Sequence, residues 1–364
     1  MEDKDYMLRA LELARLAEGN TSPNPMVGCV IVDDAGVIVG EGYHHKAGEA
    51  HAEVNALKMA GKKAEGAAAY VTLEPCSHYG RTGPCCIALA EAGIKKVIVA
   101  CQDPNPKVAG RGIKYLQEQG IEVICGVCEQ EAYRLNEKFM TWITEKRPFI
   151  SLKYAMTLDG KIASYTGDSK WITGVEARTY AHLLRKQHDA ILVGAGTVLQ
   201  DDPELTTRLV AGKNPVRVIL DSKLKIPLTA KVLNSEARTM IITGQEIDEQ
   251  KAAQLESLTH VELIKTTLKN DKIDIQRVVE LLAQKELTSV LVEGGSSIHG
   301  AFFAAGYGDR VFAFVAPKLV GGSQGYSPIG GQGCAFIKDG WQLAGAEYQQ
   351  LGQDLLITGL VLKE

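Results

Sequence analysis

The sequence predicts an α/β protein of two domains, and three observations carry that prediction. At 364 residues the chain exceeds a single average domain. In both halves, short apolar runs rich in β-branched residues alternate with helical stretches, as in sheets covered by helices. The segment TEKRPFI (144–150) joins charge to proline and reads as a seam. It divides the chain into expected domains 1–146 and 147–364.

The elements follow in order. Met7, Leu8, Leu11 and Ala14 fall on one face of an acidic N-terminal helix that ends at Gly19. MVGCVIV and VIVGEGY, joined by turn residues Asp33–Gly36, form a hairpin. A helix runs from about His51 to Ala60 and stops near Gly61. The strand AYVTL (69–73) leads into a cysteine-bearing loop, and Pro84 opens a helix that ends near Gly93. KKVIVAC and IEVICGVC are further strands. After the seam, FISLKYAMTLDGKIA, DAILVGA, VRVILDS, TMIITG and SVLVEGG supply strands spaced by helical stretches. Such a domain binds ligands at its strand carboxyl ends.

Composition narrows the class. Hydrophobic residues make up 45% and charged residues 23%, ordinary for a globular protein. The formal net charge of −4 argues against a nucleic-acid partner. No apolar run reaches the ~20 residues of a membrane span. The N-terminus lacks the basic start and apolar core of a signal peptide. The expected location is therefore the cytoplasm, where the eight cysteines are reduced thiols or metal ligands.

One constellation carries chemistry. His51-Ala52-Glu53 is followed by Pro75-Cys76, and then by Cys85 after eight intervening residues. His51, Cys76 and Cys85 are three ligands of the kind a hydrolytic zinc site uses, leaving a fourth position for a water whose pKa the metal lowers. Glu53 is then free to shuttle protons to a leaving amine. Together they specify replacement of an amino group by oxygen on a flat heterocycle. Base deaminases of this pattern have two residues between the cysteines; the longer loop here, SHYGRTGP, is a departure. Cys86 points about 100° away from Cys85 on a helix and is expected in the core. Cys125 and Cys128, in a strand-like apolar run, are expected to be buried structural thiols. In the second half, VEGGSSIHGAF places Gly294 and Gly295 between a strand and a helix, a tight turn or a phosphate cradle.

HAEV and YVTLEPCSHYGRTGPC, with TSPNPMVGCVIV before and QDPNPKVAGRG after, closely resemble the bifunctional riboflavin-biosynthesis enzymes, pyrimidine deaminases fused to ribosyl reductases. The long cysteine loop is characteristic of that family. The resemblance continues through SLKYAMTLDGKIA, TGDSKWITG, ILVGAGTVLQDDPELTTR, VRVILDS and LVEGGSSIHGAF, and so spans essentially the whole chain. One departure is Gly83-Pro84, where the family usually has two prolines.

The resemblance implies a cytidine-deaminase-like α/β/α domain followed by a dihydrofolate-reductase-like α/β domain. It implies zinc-dependent deamination of 2,5-diamino-6-(5-phosphoribosylamino)pyrimidin-4(3H)-one. NADPH-dependent reduction of the ribosyl chain to ribityl follows, giving 5-amino-6-(5-phosphoribitylamino)uracil. By matching positions, Asn24, His44, His78, Arg81 and Asn105 line the pyrimidine and its ribose phosphate, His44 and Arg81 suiting the phosphate. Ala155, Trp171, Thr197, Asp201, Ser222 and the loop Gly295, Ser296, Ser297, Ile298, His299, Gly300, Ala301 contact NADPH. Lys153, Ser169, Arg185, Leu205, Arg208 and Glu293 contact the phosphorylated sugar, with three cations for a dianion. Partners are small phosphorylated pyrimidines, with no nucleic acid and no membrane, and the chain is expected to be a homo-oligomer. Two rival readings are a nucleoside or tRNA deaminase with an accessory domain, and a binding protein that keeps a deaminase shell.

Overall fold

The protein is described by a computed structural model covering residues 2–79, 83–105, 109–323 and 326–362. The chain forms two compact units, Met1–Lys146 and Arg147–Glu364.

The first unit runs α1 (Asp3–Arg15), β1 (Gly28–Val32), β2 (Ile38–Tyr43), α2 (Ala52–Ala60), β3 (Ala68–Leu73), α3 (Cys85–Glu91), β4 (Lys96–Cys101), α4 (Arg111–Glu118), β5 (Glu122–Cys125), α5 (Glu129–Leu135) and α6 (Glu137–Glu145). Its sheet has the order β2-β1-β3-β4-β5. The hairpin and β3 pair antiparallel, while β3, β4 and β5 run parallel. Glycines let α2 lie directly on the sheet. A Cβ at Gly40 would fall 2.3 Å from the Ala56 carbonyl oxygen, and one at Gly42 would fall 2.5 Å from that of Ala52. This close approach fixes the start of α2, where His51 and Glu53 stand. On α1 the buried face is Tyr6, Met7, Ala10, Leu11, Leu13 and Ala14, whereas Leu8 faces solvent. The expected stripe was thus shifted, because the helix also presents Tyr6, whose hydroxyl donates to the Gly36 carbonyl.

The second unit runs β6 (Phe149–Thr157), α7 (Val175–Gln187), β7 (Ala190–Gly194), α8 (Ala195–Asp201), β8 (Val216–Leu220), β9 (Thr239–Thr243), α9 (Glu249–Glu256), β10 (Val261–Lys265), a small hairpin β11 (Leu268–Lys269) and β12 (Lys272–Ile273), α10 (Ile275–Gln284), β13 (Ser289–Gly294), α11 (Ser296–Ala304), β14 (Arg310–Ala316), β15 (Gln342–Leu351) and β16 (Asp354–Leu362). Its main sheet has the order β10-β9-β8-β7-β13-β6-β14-β16-β15. The strands from β10 to β14 in that order are parallel, and β16 and β15 close one edge antiparallel. Central strands β7 and β13 read as continuous apolar runs because both faces are covered. Among the described residues, no helix is long and apolar enough to cross a membrane.

Two cysteine expectations resolve differently. Cys86 is buried in the first core, as expected. Cys125 is exposed and Cys128 half-buried. The apolar run breaks at Gly126, which has a positive φ, and Cys128 caps α5 in a left-handed conformation. β5 is moreover the edge strand of its sheet, so its residues lack the cover a central strand has.

Candidate active sites

In the first unit, His51 is the residue preceding α2, Glu53 lies in the first turn of α2, Cys76 follows β3 and Cys85 begins α3. His51 Nδ1 lies 3.2 Å from Cys85 Sγ and 3.5 Å from Cys76 Sγ, and the Cys85 backbone N–H donates to Cys76 Sγ at 3.3 Å. The three donor atoms fall within 4.8 Å of one another. Tetrahedral zinc, with bonds of about 2.0–2.3 Å, spaces its ligands by about 3.3–3.8 Å, so the set fits that ion. The electrostatics agree. Hydrogen bonds from Cys85 and His51 hold the Cys76 thiol well below its ordinary range, while Cys76 and burial push Cys85 up. Cys76 is thus a thiolate beside a Cys85 thiol, and a bound zinc would let the second sulfur ionise as well. Cys85 is buried, while His51 and Cys76 are partly open.

His51 and Cys76 open on a cavity of about 520 Å³ that Asn24, His44, Glu53, His78 and Asn105 also line. Glu53 is 3% exposed, and burial followed by the charge of Cys76 raises it to about 7. His44 is engaged at both ring nitrogens. Nδ1 faces the Ala50 carbonyl at 3.1 Å, so it carries the proton, and Nε2 accepts from Asn24 Nδ2 at 3.2 Å. Burial lowers its pKa. His44 is thus a neutral ring that orients Asn24, and a phosphate contact would require it to give up a bond. Arg81 lies outside the described residues. A Cβ at Gly83, where the family usually has proline, would meet nothing within 4 Å among the described residues.

Sequence reasoning missed several residues of this cavity, including Glu74, Asp103, Phe139 and Trp142. Glu74 immediately precedes Pro75-Cys76 and accepts backbone N–H bonds from Asp103, Gly110, Gly112 and Ile113 at 2.9–3.4 Å. It clamps the segment that carries Asn105. Its signal was local, a carboxylate at a strand end beside the ligand cysteine, but its partners are about thirty to forty positions away.

In the second unit, Leu152 pairs with Val292, which makes Lys153 on β6 and Glu293 on β13 neighbours. Lys153 Nζ stands 3.6 Å from Glu293, and Arg185 from α7 grips the same carboxylate twice, at 2.8 and 2.9 Å. Burial alone would raise Glu293, but the charges of Arg185 and Lys153 outweigh it and hold the carboxyl well below its usual range. Arg185 also donates to the Thr206 carbonyl at 3.0 Å, fixing the loop that carries Leu205 and Arg208. The Leu205 side chain is buried in the core, and its φ is +53°, so it can offer a ligand only its backbone.

The expected cofactor residues divide. Asp201 accepts at 3.3 Å from Oγ of Ser169, an expected sugar contact, and Trp171 is exposed with the Arg178 guanidinium 4.6 Å from its ring. Ala155 lies on β6 two residues beyond Lys153, and Ser222 follows the end of β8. A Cβ on Gly295 would come within 3.4 Å of Thr197 Oγ1, which places α8 beside the start of α11. That helix has no side-chain cap, and Gly294-Gly295 leaves its first N–H groups open to a phosphate. Ser297 is exposed and Ser296 half-buried, but the following side chains turn inward. Ile298 packs on Gly194, and the buried His299 ring faces the Val292 and Pro328 carbonyls. A Cβ at Gly300 would lie 2.2 Å from the Gly330 carbonyl. Ala301 packs against the core. His299, Gly300 and Ala301 therefore hold the loop in place rather than face out of it.

Residues 1–101 match the family described as the cytidine and deoxycytidylate deaminase zinc-binding region, and residues 148–357 match the RibD C-terminal domain. The chain is 49% identical to the riboflavin biosynthesis protein RibD of Aquifex aeolicus, over 98% of this chain and 97% of that one. It belongs to the RibD family. The RibD of Escherichia coli strain K12 is 41% identical, over 98% of this chain and 99% of its own. A crystal structure of a diaminohydroxyphosphoribosylaminopyrimidine deaminase/5-amino-6-(5-phosphoribosylamino)uracil reductase from Thermotoga maritima matches with a TM-score of 0.86 and 39% identity, covering 99% of each chain. As a RibD chain the protein carries a zinc-binding deaminase fold and a reductase fold of the dihydrofolate-reductase type, and its cofactors are zinc and NADPH.

Proposed function

We propose that residues 1–146 deaminate 2,5-diamino-6-(5-phosphoribosylamino)pyrimidin-4(3H)-one. Residues 147–364 then reduce the ribosyl chain of the product to ribityl with NADPH, giving 5-amino-6-(5-phosphoribitylamino)uracil for riboflavin synthesis. The chain is thus a zinc hydrolase and an NADPH oxidoreductase in one. The observation that carries the first assignment is the convergence of His51, Cys76 and Cys85, with His51, Cys76 and the buried Glu53 lining one cavity. Zinc, held by these three residues, supplies the Lewis acidity that activates water. Glu53 takes one proton from the attacking water and delivers it to the ring nitrogen, then takes a second from the hydroxyl left on the ring carbon and delivers it to the departing amine. A carboxyl near neutrality suits both directions. Asn24, His78, Arg81 and Asn105 hold the pyrimidine and its phosphate, with His44 fixing Asn24.

In the second unit Lys153, Arg185 and Glu293 form the floor of the sugar site, and Ser169, Leu205 and Arg208 complete it. NADPH, held by Ala155, Trp171, Thr197, Asp201, Ser222 and the turn Gly295–Ser297 that opens α11, would supply the hydride, with Ile298, His299, Gly300 and Ala301 fixing that turn from behind. The chain's own residues position the acceptor carbon and exclude water. The motifs name no proton donor for this step. We assign the protein to the cytoplasm, with small phosphorylated pyrimidines as ligands, no nucleic acid, and a homo-oligomeric state.

Metal content tests the first assignment. The purified chain should contain about one zinc per chain, and Cys85→Ser should lose most of it. Wild-type protein purified with zinc present and yet free of it would contradict the proposal.

A further inference from the structure

His182 is a residue to which no motif drew attention. It lies on α7, three positions before Arg185, and is 5% exposed. Its Nδ1 is 3.1 Å from the backbone N–H of Arg208. A backbone N–H can only donate, so Nδ1 is the acceptor and the proton of the neutral ring sits on Nε2. Nε2 finds no partner among the described residues. It is also not one of the wholly enclosed side-chain atoms that lack a partner, so it is not sealed off from solvent. The surroundings decide which ligand. Arg185, Arg208, Lys153 and Glu293 all act on this ring electrostatically. Glu293 is shared by Lys153 and Arg185, and Arg208 pairs with Glu204 at 3.3 Å. Three cations face two carboxylates, and a ring that presents an N–H there is matched to an anion. Burial followed by Arg185 and Arg208 depresses its pKa to about 4, so the ring is neutral near pH 7 before a ligand arrives.

We infer that His182 is a further substrate-binding residue of the reductase site, donating from Nε2–H to the phosphate of the ribosyl substrate. Its Nδ1 meanwhile fixes the Arg208 backbone beside that phosphate. The inference rests on the proposed reductase assignment. Leu205 and Arg208 are thereby joined to α7 by two bonds, one from Arg185 to Thr206 and one from Arg208 to His182.

Two substitutions separate the ring nitrogens. His182→Asn keeps an acceptor near the Nδ1 position and removes the Nε2 donor, while His182→Gln does the reverse. The test is steady-state NADPH oxidation by the full-length chain, using the deaminated ribosylaminouracil 5′-phosphate and, separately, its dephosphorylated form. His182→Asn should raise KM for the phosphorylated substrate roughly ten- to hundredfold. It should leave kcat and the KM for NADPH near wild type, and should have little effect with the dephosphorylated substrate. His182→Gln should restore part of the lost affinity. An unchanged KM in His182→Asn overturns the proposal. So does an equal loss with both substrates accompanied by a lower melting temperature, which would mark a purely structural ring. A wild-type chain that never oxidises NADPH with this substrate would instead defeat the reductase assignment itself, and the proposal with it.

Discussion

Glu53→Gln should lower deamination by ~10²–10⁴-fold while leaving zinc content and NADPH-dependent reduction at wild-type levels. Glutamine has nearly the same shape, so it keeps the packing of the first turn of α2 but cannot accept or deliver a proton. The buried position of Glu53 beside Cys76 and Cys85 makes it well placed to exchange protons with a group in the cavity without being a ligand. Ammonia release, metal content and reduction of pre-deaminated substrate should be measured on one preparation. Equal loss of both activities would contradict the assignment of the two reactions to separate sites.

Glu293→Ala should produce the largest stability effect. It leaves Arg185 and Lys153 facing each other without the carboxylate that both contact, and the side chains of all three are largely buried. Removing one partner from a buried charge cluster costs ~3–5 kcal/mol, a large share of the stability of a domain. For a unit of this size that lowers the melting temperature by roughly 6–20 °C. The sign with pH is fixed by the depressed pKa. The contribution of Glu293 is complete above the ordinary carboxylate value of 4.5 and fades only as pH falls toward its lower folded value. The gap between wild type and variant should therefore persist from neutrality to mild acid. Coincident melts would show that the cluster adds nothing to folding.

The proposed zinc ligands and Glu53 were legible because each stands at an element boundary that local sequence marks. His51 precedes an apolar helix, Cys76 follows a strand, and Cys85 follows a proline that opens a helix. What was not legible depends on partners distant in sequence. His182 gains its meaning from Arg208, twenty-six positions on, and from Glu293 on another strand. Glu74 gains its meaning from backbone groups that pairing of β3 with β4 brings alongside. His44 looked like a phosphate ligand because its residue type suits one; its bonds to Asn24 and Ala50 exist only once the chain has folded. The same limit applied to the fold. Five parallel strands of the second unit were visible as apolar runs, but β10, β14 and β16 were not singled out, and neither was β15. Its face is largely exposed, and the register shift between Ala344 and Glu347 breaks the alternation that would announce a strand.

One chain carries both the deaminase and the reductase of this pathway. The most direct measurement follows ammonia and NADPH together as the purified wild-type chain acts on the diaminopyrimidine ribosyl phosphate. Ammonia should appear first, NADPH oxidation should follow after a lag, and the two should reach equal totals at completion. Ammonia released with no NADPH consumed, or NADPH consumed ahead of ammonia, would contradict deamination followed by reduction on one chain.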